Sequence, residues 1–196
     1  MQFLPEFRLA LFGGWWFSLL FLAANLFLAL SFPSFRDKVL VKPHPVGMVE
    51  KLTMGLTILF FQTGNILPVF MPLQTDPALL GLGGSLFIAC FAVYIWAIIR
   101  FVKTPADIPV TTGPYRFSRN PQQLSLVLMW TGAGLCLGTW LFALLGLVQM
   151  VLAYPGFRSQ ERYCLFRYGQ PYRDYMRNVP RYLFYSQPVP SPVSMK

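Results

Sequence analysis

The 196-residue chain is 55% hydrophobic and 17% aromatic but only 12% charged, about half the charged share of an ordinary soluble domain. Sixteen Lys and Arg stand against seven Asp and Glu, a formal net charge of +9. These proportions exclude a disordered tail, a coiled coil and a disulfide-stapled secreted module, and leave little solvated surface on which a nucleic-acid binder could spread its cations.

Such a composition indicates an integral membrane protein, and the chain divides accordingly. Leu9 to Phe32 carries no charge over 24 residues and stops at Pro33. It is too long for the apolar core of a signal peptide, and Glu6 and Arg8 make its flank neutral, so it reads as a retained anchor. A basic loop follows with Arg36, Lys38, Lys42 and Lys51, and with His44 between two prolines as a solvated loop residue. Leu52 to Met71 is uncharged but holds Gln62, Asn65 and Pro68; the two amides are three apart and share a helix face, as interhelical hydrogen-bonding groups do. Ala78 to Ile99 is uncharged and ends at Arg100, and Leu124 to Tyr154 is uncharged over 31 residues. All four runs reach the length read as a membrane span.

The last run would be about 46 Å long as a single helix, against a hydrocarbon core of roughly 30 Å. Cut at Gly138-Thr139 it becomes a tight hairpin. With that cut, 15 of the 16 cations fall on one face of the membrane and only Arg8 on the other. The positive-inside bias therefore favours the hairpin. The expected fold is all-α: a bundle of five spans near residues 9–32, 52–71, 78–99, 122–138 and 140–156, with the N-terminus outside and a helical C-terminal segment in the cytoplasm. Residues 1–185 form one domain on this reading, and 186–196 a flexible tail. The compartment is a bacterial inner membrane or an endomembrane. Gly134 and Gly138 read as a small-residue pair that lets the fourth span pack closely. Trp15, Trp16 and Phe17 suit the interfacial belt. Cys90, Cys136 and Cys164 are scattered and imply no disulfide framework, and with a single His no metal site is expected.

Two polar segments, both expected on the cytoplasmic face, carry the candidate chemistry. In the first, Thr111 to Gln123, Thr112-Gly113-Pro114 reads as a turn with Pro at a first helical position, and Asn120-Pro121 as a breaker at the mouth of the next helix. Arg116 and Arg119 then sit on a constrained turn beside free backbone N–H groups, where they either hold a carboxylate or phosphate or anchor to headgroups. The second runs from Ser159 to Tyr175. The fifth helix is expected to pass Pro155 and stop at Gly169, followed by a short helix bearing Tyr172 and Tyr175 and ending at Val179-Pro180. Glu161 lies just past the membrane, placed to pair with an arginine or to bind a cationic ligand.

Taken together, Thr-Gly-Pro-Tyr-Arg-Phe-Ser-Arg-Asn-Pro, a helical hairpin, and Gln-Glu-Arg-Tyr…Tyr-Gly…Tyr-Arg-Asp-Tyr…Val-Pro-Arg resemble the isoprenylcysteine carboxyl methyltransferase and phospholipid methyltransferase group of small membrane enzymes, over roughly Val110 to Leu183. The resemblance implies binding of S-adenosylmethionine in a cytoplasmic region formed by residues 103–123 and 157–185, with methyl transfer to a lipophilic, membrane-dissolved carboxylate, amine or thiol. It implies cofactor contacts from Gly113, Pro114, Tyr115, Arg116, Arg119, Asn120, Pro121, Gln123, Gln160, Glu161 and Tyr172, with Arg119, Asn120 and Glu161 as the catalytic set. Three positions depart from the family pattern: Asn120 stands for a histidine, Gln123 for an aromatic residue and Gln160 for the first of two glutamates. Tyr115, Phe117 and Tyr163 are candidate aromatic walls for a sulfonium. Sterol reductases carry a similar C-terminal pattern, which keeps an NADPH-dependent membrane reductase as the alternative, beside a non-catalytic relative.

Overall fold

The computed structural model describes residues 7, 8, 11, 13–32 and 47–183. Within them all regular structure is helical, apart from an isolated antiparallel bridge between Gly13 and Pro72. Six α-helices follow in order: α1 (Trp15–Ser31), α2 (Met48–Ile66), α3 (Pro77–Lys103), α4 (Pro121–Cys136), α5 (Leu141–Tyr168) and α6 (Gln170–Asn178). Tight 3-10 turns at Leu67–Phe70 and Gly113–Arg116 extend α2 and precede α4.

Local chemistry sets most of these limits. Pro68 has no N–H to continue α2, and the chain tightens there. Asp76 caps α3, its carboxylate accepting from the N–H groups of Ala78 at 2.9 Å and Leu79 at 3.3 Å, with Pro77 at the first helical position. Arg100 and Lys103 occupy the last turn of α3, where the helix dipole favours cations. Pro121 opens α4 and Gly169, at φ +61°, closes α5.

Among the described residues three helices are long and apolar enough to cross a membrane: Met48–Phe70, Pro77–Lys103 and Leu141–Tyr168. The other two expected spans are shorter. The helix expected from residue 9 begins at Trp15, because the chain before it runs along the 70–72 segment, with the Arg8 and Gly14 N–H groups donating to the Phe70 and Met71 carbonyls. With 17 and 16 residues, α1 and α4 measure about 26 and 24 Å. The expected turn is where the α4–α5 hairpin forms: Gly138 adopts φ +67° and the Thr139 N–H donates to the Gly134 carbonyl at 2.9 Å. At 28 residues, α5 is about 42 Å long and outreaches a hydrocarbon core by about 12 Å.

Small residues set the helix contacts, as expected where lipid competes with side chains for apolar surface. A Cβ on Gly83 of α3 would lie 2.6 Å from the Gly132 carbonyl of α4, and one on Gly132 would lie 2.7 Å from the Gly83 carbonyl. Gly64 of α2 faces the Trp130 ring at 2.2 Å from such a Cβ. The close α3–α4 approach therefore uses Gly132; Gly134 serves inside the hairpin, against Thr139 and Phe142, and Gly138 makes the turn. Phe21, Phe87, Tyr94, Met129 and Trp130 fill the centre, while Leu22, Phe27, Ile88 and Val151 point outward. Asn65 is half-buried and donates to the Phe61 carbonyl of its own helix, whereas Gln62 is exposed.

The loops gather at two ends. At one, Gln74 donates from its backbone and its side chain to the Cys136 and Leu135 carbonyls, beside the Arg8 segment. At the other, Lys103 lies over the Phe32 ring, Arg162 pairs with Glu50, and Arg119 meets Pro180. Apart from Arg8, the described cations lie toward this second end. Arg36, Lys38, Lys42, His44 and residues 186–196 lie outside the described residues.

Candidate active site

The second end holds a carboxylate buried between two guanidinium groups. Glu161, on the part of α5 beyond its apolar stretch, is 5% exposed. Arg181 grips it with two bonds, Nε to Oε1 at 3.0 Å and Nη2 to Oε2. Arg119, 6% exposed, brings Nη1 to 3.0 Å from the same Oε1. That approach is off the hydrogen-bond direction, so Arg119 Nε, Nη1 and Nη2 are all buried without an aligned acceptor among the described residues. The cluster holds two cations against one anion. An uncompensated buried charge with unused donors is costly, and an anionic group is what would satisfy it.

Short-range chemistry brings these residues together from distant positions. Gly113 takes φ +64°, and a Cβ there would lie 2.9 Å from the Arg100 side chain, so the turn that follows packs tightly on the end of α3. The turn buries Pro114 and Tyr115, and Gln122 donates to the Tyr115 hydroxyl at 2.9 Å. Ser118, buried, donates through Oγ to the Arg181 carbonyl and accepts from the Asn120 N–H, both at 3.1 Å. Asn120 Nδ2 donates to the same carbonyl at 3.1 Å, and the Arg119 N–H donates to the Pro180 carbonyl at 2.9 Å. Residues 179–182 are thereby stitched across the start of α4.

On the other side, α6 is seated by Tyr175, whose hydroxyl donates to the Tyr115 carbonyl at 2.7 Å. Burial pushes the Tyr175 and Tyr172 hydroxyls far above the usual tyrosine range, which keeps both protonated as donors. Both also feel the charges of Arg119 and Glu161, so α6 walls the cluster. Arg181 stacks 5.0 Å above the Tyr154 ring of α5. Burial opposes its charge most strongly, but the hydrogen bonds and charge attraction of Glu161, with Tyr154, together outweigh it and raise the Arg181 pKa. The Tyr182 hydroxyl beside it is buried without a hydrogen-bond partner among the described residues, and desolvation lifts its pKa to about 12.

Of the residues singled out in the sequence, the fold gathers Gly113, Pro114, Tyr115, Arg119, Asn120, Pro121, Glu161 and Tyr172. Gln123 lies one turn beyond Arg119 with its Nε2 buried and without a hydrogen-bond partner among the described residues. Arg116 and Gln160 are exposed and take no part in the cluster. Among the aromatic candidates Tyr115 is buried, Tyr163 half-buried and Phe117 69% exposed. Sequence reasoning did not assign Arg181, Ser118, Tyr154 or Tyr175 to the site. The signal for Arg181 was its place at the end of the Val-Pro-Arg string, after a proline that fixes the backbone to meet Arg119.

Residues 82–169 match the phospholipid methyltransferase family model. The matched stretch, just under half of the chain, runs from α3 through the hairpin to the Gly169 stop and contains Arg119, Asn120 and Glu161. Arg181 and α6 lie beyond it. No curated protein and no solved structure compared with the chain matches it significantly. Over that stretch the chain is similar to the phospholipid methyltransferase family, and three helices among the described residues are of membrane-spanning length.

Proposed function

We propose that the chain is an S-adenosylmethionine-dependent methyltransferase acting on a lipophilic acceptor dissolved in the membrane. Residues 1–185 form one unit with five spans, the N-terminus outside and the clustered end in the cytoplasm; the sorting of described cations to that end supports this orientation. The observation that carries the reading is Arg119: buried, adjacent to Glu161, and with all three side-chain nitrogens lacking an aligned acceptor within the family-matched region.

The residues present suit the cofactor. Arg119 is a fork of donors for its carboxylate. Gln123 Nε2 and the Tyr182 hydroxyl are further buried groups without a partner among the described residues. Glu161 keeps lone pairs for an ammonium or a ribose hydroxyl after both arginines are served. S-adenosylmethionine supplies an already activated methyl group, so the protein's work is positioning. Arg181 and the 179–182 segment hold Glu161 and the Arg119–Asn120 turn in fixed relation, and burial by Tyr115, Tyr172 and Tyr175 keeps water from the cluster. The acceptor atom is a carboxylate oxygen, an amine or a thiol of an amphiphile.

Ligand-dependent thermal stabilisation of the detergent-purified protein tests this. A ligand at 100 times its Kd adds about 2.7 kcal/mol to the folded state. S-adenosylhomocysteine is expected to stabilise and NADPH not to; the reverse result contradicts the proposal.

A further inference from the structure

Between the first turn of α2 and the middle of α5 runs an open groove of about 640 Å³, lined by Gly47 to Glu50 on one side and by Tyr154, Pro155, Arg158 and Arg162 on the other. It straddles a chemical boundary. Toward the apolar half of α5 its walls are Tyr154 and Pro155; its other end, where Arg162 reaches Glu50, is bordered by Met48 and Val49, which are 82% and 68% exposed. Past that point α5 turns cationic at Arg158, the first charge after Leu141.

Of the two cations in the groove, one is paired among the described residues. Arg162 pairs with Glu50, whose other oxygen accepts from the Gly47 N–H at 3.2 Å. Arg158 is exposed and makes no hydrogen bond or ion pair among the described residues. Two guanidinium groups against one carboxylate leave the groove with a surplus positive charge at the depth where apolar walls give way to charge. An amphiphile with an anionic headgroup complements both features, whereas a free anion would use only the charged end.

We propose that this groove binds an anionic phospholipid, its phosphate on Arg158 and its upper acyl chains along Tyr154 and Pro155. The site is separate from the Arg119–Glu161–Arg181 cluster, but Tyr154 is common to both: its ring lines the groove and carries the Arg181 guanidinium 5.0 Å above it. Acidic lipid thus sits one side chain away from the carboxylate cluster.

The test is lipid retention, measured by native mass spectrometry on the purified full chain titrated with dioleoyl phosphatidylglycerol or dioleoyl phosphatidylcholine. One basic side chain at a membrane surface is worth about fivefold in binding, so the wild type should prefer phosphatidylglycerol by about that factor. Arg158→Gln should abolish the preference, and Glu50→Gln, which removes the competing carboxylate, should strengthen it. Equal retention of the two lipids by the wild type, or an unchanged preference in both variants, overturns the proposal. Displacement of phosphatidylglycerol by millimolar inorganic phosphate would also overturn it, in favour of a free-anion site. S-adenosylhomocysteine stabilisation, measured in parallel, reports on the methyltransferase reading alone; its failure leaves the lipid result standing, and Arg158→Gln should retain it.

Discussion

Replacing Arg119 by Met separates a ligand-binding arginine from a structural one. The side chain is 1% exposed, and its contact with Glu161 is an ion pair at 3.0 Å without hydrogen-bond alignment. Glu161 keeps both bonds from Arg181 when Arg119 is removed, and the cluster's charge falls from +1 to neutral. The ligand-free variant should therefore lose little stability, within about 1 kcal/mol of wild type, because a buried charge with unused donors contributes little net. Glu161→Gln is the contrasting case: it leaves two buried guanidinium groups facing a neutral amide and should cost about 3–5 kcal/mol. The assay is thermal unfolding in detergent, with and without saturating S-adenosylhomocysteine. Arg119→Met should unfold near the wild-type temperature and lose the ligand-induced rise. A variant as unstable as Glu161→Gln, or one that keeps the full rise, would refute the assignment of Arg119 to ligand.

Other outcomes follow from the same geometry. Arg181→Met, which removes both bonds to Glu161 while leaving Arg119 free to turn toward it, should cost about 2–3 kcal/mol, less than Glu161→Gln, and circular-dichroism melts would order the two. Tyr175→Phe removes one buried bond to the Tyr115 carbonyl and should lower stability by about 1 kcal/mol, with ligand affinity reduced through the loosened 113–116 turn. Gly113→Ala forces a Cβ onto a φ of +64° within 2.9 Å of the Arg100 side chain, and should cost about 1–3 kcal/mol in the same melts. For topology, a thiol-reactive impermeant probe on intact cells should label a cysteine placed at Phe7 and not one placed at Leu183; labelling of both contradicts five spans, and the opposite pattern contradicts the proposed orientation.

Much of this architecture was legible because membrane insertion and proline and glycine chemistry act locally. The hairpin at Gly138, the stop of α5 at Gly169 and the turn after Gly113 all follow from residues whose backbone limits are fixed by their own covalent structure, whereas α5 runs through Pro155 in spite of its missing N–H. The helix edges were less legible. Charge-free runs mark where a helix can be buried in lipid, not where its backbone starts, so α1 begins at Trp15 although the uncharged run starts at Leu9. Within the site, the motif strings placed Arg119, Asn120 and Glu161 in one neighbourhood but gave no directions. Glu161 faces the cluster and its neighbour Gln160 does not, since adjacent helical residues point about 100° apart. Arg181 escaped because its role depends on a fold-back of the chain after α6. That return is set by carbonyls of Pro180 and Arg181 meeting donors more than sixty residues away.

The central claim, methyl transfer to a membrane-dissolved acceptor, is tested most directly by incubating the purified chain with methyl-labelled S-adenosylmethionine and a lipid extract. The account predicts label in a lipid-soluble product with the wild type, and at least a hundredfold less with Arg119→Met, the loss of about 2.7 kcal/mol of binding and positioning. Label in no product despite S-adenosylhomocysteine stabilisation, or equal labelling by the variant, would contradict it.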